Sequence, residues 1–524
     1  MSARADEALI KMSAGALAAA IARGEVSATE AVEAHIARIE QVNGALNAVV
    51  VKRYDEARAE ARVADEKRAR GEPLGPLHGV PITIKECLDL TGTPSTFGLP
   101  SRASVLATQD DPWVARVRAA GAIILGKTNV SQLLLYHESD NPVYGRTNNP
   151  WNLECAPGGS SGGQAAIIAA GGAPLGLGTD IGGSIRVPAT SCGVVGMKPT
   201  AGRTDDPGRY SVAIGQRAIV SQIGVLARTV DDAELGLRVM TEGGAPDGSP
   251  TFPLGDSAGV DVANLRVAYY TDDGTFTVAP AVRRAVIEAA GALAGRGAQV
   301  TEWSPFQPER GADLFFGVLG ADGGASERRM LGGDKRDPRI AQLLLLASAP
   351  RLVVASLVGG LRAGGQRRLA AIARNFGYRD TARYWRLVEE QMDYRRDFLR
   401  ALDGDEGGPF DLIVCPAFSL PALRHGASKD LVTAGGYAIL YNVLGYPTGV
   451  VPVTRVREGE ESQRKRSLDA LERAAQATER GSAGLPVGVQ VVARPWQEHI
   501  AFAAMRAIEA SLHGNADYPG IAML

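Results

Sequence analysis

Two Gly-Gly-Ser triplets, Gly158-Gly159-Ser160 and Gly182-Gly183-Ser184, place two serines 24 residues apart. The second follows Asp180-Ile181 in a segment so rich in glycine that it must turn tightly. In such a turn the N–H groups of Ile181, Gly182, Gly183 and Ser184 can aim at one point, the backbone geometry that stabilises an oxyanion in acyl transfer. Glycine and serine at this density could also make a flexible linker. Interleaved Ile167, Ile168, Leu175, Leu177, Val187, Val194 and Val195 argue instead for a packed segment. Two short patterns point elsewhere and fail on physical grounds. Gly121 to Thr128 matches a phosphate-binding loop, but Ala-Ile-Ile-Leu between its glycines belongs in a buried strand rather than an exposed cradle. Gly159-Ser160-Ser161-Gly162-Gly163 matches a nucleophile elbow centred on Ser161, which would need a strand just before it and an acid and a histidine such as His425 after it. No clear strand precedes it. The six histidines show no H-x-x-x-H spacing, so no metal site and no cofactor are expected.

These residues need a scaffold, and the chain can build one. Of 524 residues, 45% are hydrophobic and 22% charged, as in ordinary globular proteins. Lys+Arg 56 against Asp+Glu 58 gives a net charge of −2, which excludes a general polyanion binder and leaves nucleic acid off the list of partners. Glycine, 63 residues, lies well above the background of about 7% without any collagen period. Cys87, Cys155, Cys192 and Cys415 are widely spaced, which suits a reducing compartment, and Met1 to Met12 has no apolar run of signal-peptide length; a cytoplasmic location is the expectation. Residues 8–70 read as helices. Gly79 to Ile84 reads as a buried strand ending at Lys85, with further strands at Ala122–Leu125 and Pro174–Thr179, the last after a small-residue helix over 163–171. Helices alternating with buried strands predict an α/β fold with helices on both sheet faces. The polar stretch 455–482 reads as a solvent-facing helical insertion.

An extended set of segments resembles the amidase signature family of serine hydrolases: Val80 to Asp89, Lys127-Thr128-Asn129, Thr147 to Trp151, and 157–200 throughout. Within it the chain is most similar to the fatty acid amide hydrolase subgroup, on Lys85-Glu86-Cys87, Leu440-Tyr441-Asn442, Gly449 to Val453 and Gly484 to Glu498, although Gln164 stands where that subgroup resembles Glu. The resemblance implies a large twisted mixed sheet in a single domain. Its parts would be N-terminal helices (1–75), a catalytic core (76–240), a helical cap (335–400) and the rest of the core (405–524). It also implies Ser184 as nucleophile, Ser160 as bridging serine after a cis Gly159–Ser160 bond, and Lys85 as base. Ile181, Gly182, Gly183 and Ser184 would form the oxyanion hole. Ser161, Asp180 and Arg186 would be supports, and Leu134, Leu135 and Gly159 would line the substrate. A lysine buried at a strand end loses solvation, which favours its neutral amine and makes a histidine-free relay coherent.

The function so implied is metal-free hydrolysis of small-molecule amides, with N-acyl amides of apolar acids as the first reading. A broad amidase or aryl acylamidase, an amidotransferase component, and an inactive scaffold on the same fold are the alternatives. The subgroup also implies a homodimer. Residues 340–374 hold two apolar pieces, Ile340–Leu346 and Leu352–Val358, broken at Pro350 and followed by Arg362, Arg367, Arg368 and Arg374. Each is too short to span a bilayer, and together they suit peripheral membrane contact; an ordinary buried or dimer-facing helix pair is the alternative.

Overall fold

Ile123-Ile124-Leu125 explains the architecture in three residues. Side chains alternate across a strand, and here Ile124 enters the apolar core on one face of the sheet while Ile123 and Leu125 enter the core on the other. A strand apolar on both faces needs helices on both. In the computed structural model, which describes residues 3–205, 215–404 and 407–523, they are there. One core packs helices Val230–Thr241, Pro280–Ala294 and Glu498–Leu512; the other packs Ala14–Arg23, Ala28–Leu46 and Gly162–Ala169.

The main sheet has eleven strands: β1 (Val49–Lys52), β2 (Pro81–Lys85), β3 (Ile123–Thr128), β4 (Leu175–Asp180), β5 (Val195–Lys198), β6 (Gln222–Ala227), β7 (Arg266–Tyr269), β8 (Gln299–Glu302), β9 (Leu412–Pro416), β10 (Thr448–Arg455) and β11 (Pro486–Ala493). Their order is β1-β3-β2-β4-β6-β5-β10-β11-β9-β7-β8. The β2 pairings with β3 and β4 are parallel, and those joining β4, β6, β5, β10, β11 and β9 are antiparallel. Lys85 and Asp180 thus sit at the same end of adjacent strands, and the turns that follow meet there.

Two sequence expectations need correction. The helical reading of 8–70 missed β1, four residues between helices that pair antiparallel with β3 at the sheet edge. The stretch 455–482 is not simply a solvated face. Only Ala470–Glu479 is helical in it, and Arg464, with its side chain 3% exposed, bonds Glu479, 0% exposed, at 2.8 Å. A charge run can close on itself, and periodicity does not show that. The two apolar pieces of 340–374 lie as expected on helices Pro338–Ala347 and Arg351–Ala363, either side of Pro350, and a further short helix, Arg367–Ala373, follows them.

Candidate active site

Lys85 ends β2 with its side chain fully buried. Its Nζ lies 2.7 Å from Ser160 Oγ, 2.7 Å from Thr179 Oγ1 and 3.4 Å from the Thr179 carbonyl. Thr179 belongs to the neighbouring β4, so the sheet's own pairing sets the lysine beside it. Ser160 sits in the loop entering α1 (Gly162–Ala169), and the Gly159–Ser160 peptide bond is cis. A Cβ on Gly159 would lie 2.4 Å from the Glu138 carbonyl oxygen, so only glycine lets the loop come this close. Glu138 is itself fixed. Its carboxylate accepts from the N–H groups of Gly426 and Ser428 at 2.8 and 2.9 Å and pairs with Arg339 at 3.1 Å.

Ser184 lies in the turn between β4 and α2 (Arg186–Cys192) and is 6% exposed. Its carbonyl accepts from the Ser161 N–H at 3.2 Å, which ties the two serine loops together. Asp180 organises the turn. It accepts from the N–H of Gly183 at 2.8 Å and of Ile185 at 3.1 Å, and Arg186 reaches it with Nε and Nη2, both at 3.0 Å. Burial alone would raise the Asp180 carboxyl, but the Arg186 guanidinium and the Asn442 amide beside it hold it well below the usual carboxylate range. Arg186 in turn donates to Asn442 Oδ1 at 2.6 Å, the Ala438 carbonyl at 2.8 Å and Gln490 Oε1 at 3.2 Å. The fully buried pair is therefore satisfied on every side.

This arrangement narrows the anion-binding turn. The Gly183 N–H, one of four expected donors, is spent on Asp180; Ile181, Gly182 and Ser184 have no backbone acceptor among the described residues. Ser161 fits a supporting place, its Oγ 3.4 Å from the Thr179 carbonyl. Gln164 bridges Thr128 and Thr83, at 3.0 and 2.6 Å, beneath the lysine strand.

Leu134 and Leu135 line a cavity of about 460 Å³ that also touches Ser184, Ile181 and Gly182. Phe315 and Leu319 also line it, as do Leu344, Leu361 and Ile372 of the 335–400 cap. Sequence reasoning missed His137 in this wall. Its Nε2 lies 3.1 Å from the Gly182 carbonyl, and burial lowers its basicity. A lone histidine after Leu-Leu-Leu-Tyr carried no spacing signal. Thr179, Asn442 and Gln490 were missed because their partners are distant in sequence.

Comparison with known proteins gives the family. The family model "Amidase" matches residues 30–501. The chain is 34% identical over 514 residues to fatty-acid amide hydrolase 1 of Sus scrofa, covering 96% of this chain and 86% of that one. It is 36% identical over 341 residues to an acylamidase of Rhodococcus erythropolis, covering 64% and 70%. A solved fatty acid amide hydrolase superposes with a TM-score of 0.83 at 26% identity, covering 99% of this chain and 87% of that one. The chain belongs to the amidase signature family and is an amide-hydrolysing enzyme.

Proposed function

We propose that this enzyme hydrolyses amides of long-chain apolar acids through an acyl-enzyme on Ser184, with Ser160 and Lys85 as its proton relay. The cavity carries the substrate side of this reading. Identity of 34% and 36% to relatives of different named activity does not choose between substrates, whereas an apolar channel leading from Ser184 into the cap suits an acyl chain.

In the relay, neutral Lys85 takes the Ser160 proton along their 2.7 Å contact as Ser160 takes that of Ser184. The Ser184 oxygen attacks the amide carbonyl, and the N–H groups of Ile181, Gly182 and Ser184 stabilise the oxyanion. A donor of this kind is worth about 10²–10³ in rate. The proton then returns through Ser160 to the leaving amine, and water releases the acid. Asp180 and Arg186 act on the turn, not on substrate.

The test is a series of acyl anilides from acetyl to hexadecanoyl. The reading expects kcat/KM to climb with chain length in the wild type and to vanish in Ser184→Ala; a maximum at acetyl would favour the broad-amidase alternative. Peripheral membrane contact through the cap and a homodimer belong to the same proposal. Light scattering giving about twice 54.9 kDa would support the second.

A further inference from the structure

One peptide unit of the anion-binding turn is held at both ends by side chains. The Gly183 N–H donates to Asp180 Oδ1 at 2.8 Å, and the carbonyl of the same unit, that of Gly182, lies 3.1 Å from His137 Nε2. A carbonyl only accepts, so Nε2 carries the proton and the imidazole donates. Burial lowers the basicity of His137, which suits a neutral ring with a single N–H. Among the described residues no backbone N–H bonds the Gly182 carbonyl. Gly183 has a φ of +102°, a conformation open to glycine and one that the two anchors hold in place. The ring is fixed in turn. It sits edge-on to Phe418, centroids 5.6 Å apart, and its Cε1 presses on Gly435, where a Cβ would lie 2.5 Å away, at the start of helix Gly436–Leu444.

We propose that His137 is a positioning residue of the reaction: by donating to the Gly182 carbonyl it fixes the peptide plane between the oxyanion donors, so that the N–H groups of Gly182 and Ser184 keep their aim as the tetrahedral intermediate forms. This rests on the reading of Ser184 as nucleophile and of its turn as the oxyanion hole. A peptide plane pinned at its N–H alone can swing about that bond, and each swing moves the neighbouring N–H groups off the developing charge. Preorganised donors act on the transition state far more than on the ground state, so their loss belongs in kcat rather than in KM.

The experiment uses His137→Phe and His137→Leu, which remove the donor, and His137→Gln, whose amide restores one. With dodecanoyl p-nitroanilide, kcat should fall about ten- to hundredfold in the first two, less than the loss of a whole oxyanion donor, while KM stays within about twofold. His137→Gln should recover most of the rate. A trifluoromethyl ketone with the same chain takes the serine oxygen onto its carbonyl carbon; the serine's proton passes to the relay and the carbonyl oxygen becomes the oxyanion. Its affinity should fall in step with kcat, whereas that of dodecanol, which fills the cavity without forming an adduct, should stay unchanged. A merely structural role would weaken both ligands together and make His137→Gln no better than His137→Leu. That outcome overturns the proposal, as does an unchanged kcat in His137→Phe or His137→Leu. The NMR signal of the adduct's carbonyl carbon tells the two readings apart. An adduct that persists in Ser184→Ala removes Ser184 as nucleophile and this proposal with it; one that needs Ser184 yet is indifferent to His137 overturns this proposal alone.

Discussion

Lys85 and Ser160 stand 75 residues apart in the chain and 2.7 Å apart in the fold. Both were legible in the sequence through the family resemblance; the β-branched strand that stops at the lysine and the glycine-rich loop that carries the serine only placed them on elements. His137 was not legible, being a single imidazole after a Leu-Leu-Leu-Tyr run. The proposed relay sets the expected losses. Ser184→Ala should abolish turnover, and Lys85→Ala should lower kcat by several decades while the circular dichroism spectrum stays unchanged. Since only the neutral amine serves as base, activity should rise from acid to mildly alkaline pH. That rising limb should disappear in Lys85→Glu; a profile of unchanged shape would remove Lys85 from the relay.

The turns between elements depend on buried pairs that no local pattern reveals. Arg186 was recognisable beside Asp180, but its other acceptors come from 252 to 304 residues away. Removing it leaves a buried carboxylate uncompensated, and Arg186→Met should cost about 3–5 kcal/mol in urea unfolding as well as activity. Gly159→Ala should be more selective. Its Cβ would meet Glu138 backbone rather than a movable side chain, so the loop holding Ser160 must shift. Activity should fall far more than stability. A third expectation concerns Glu509, whose carboxylate accepts from the Val230 N–H at the start of helix Val230–Thr241. Burial first, opposed by that N–H and by Arg506 and aided by Asp231 and Asp232, raises it from 4.5 to about 7. The folded state therefore binds the extra proton between these values, and stability falls as pH rises through that window. Thermal unfolding should show Glu509→Gln gaining on the wild type from pH 5 to pH 8; a constant difference would contradict the assignment.

Across the whole molecule, the cap joins the site to the surface. Helices α3 (Pro338–Ala347) and α4 (Arg351–Ala363) meet at a bend of 111°, and no single helix among the described residues is long and apolar enough to cross a membrane. Leu343, Leu344 and Leu346 line the cavity, while Leu345 and Leu352 are 73% and 84% exposed. The apolar pieces were visible in sequence; which leucines face inward was not, because nearly every position is apolar. Leu345→Asp with Leu352→Asp should release the protein from anionic vesicles without disturbing the cavity, and equal co-sedimentation of variant and wild type would dismiss membrane contact through this face. The central claim, an apolar acyl site ending at Ser184, is tested most directly by peptide mapping after reaction with alkyl fluorophosphonates of increasing chain length. The account predicts one adduct, on Ser184, forming faster as the alkyl chain lengthens from methyl to dodecyl. An adduct on Ser160 or Ser161, or a rate indifferent to chain length, would contradict it.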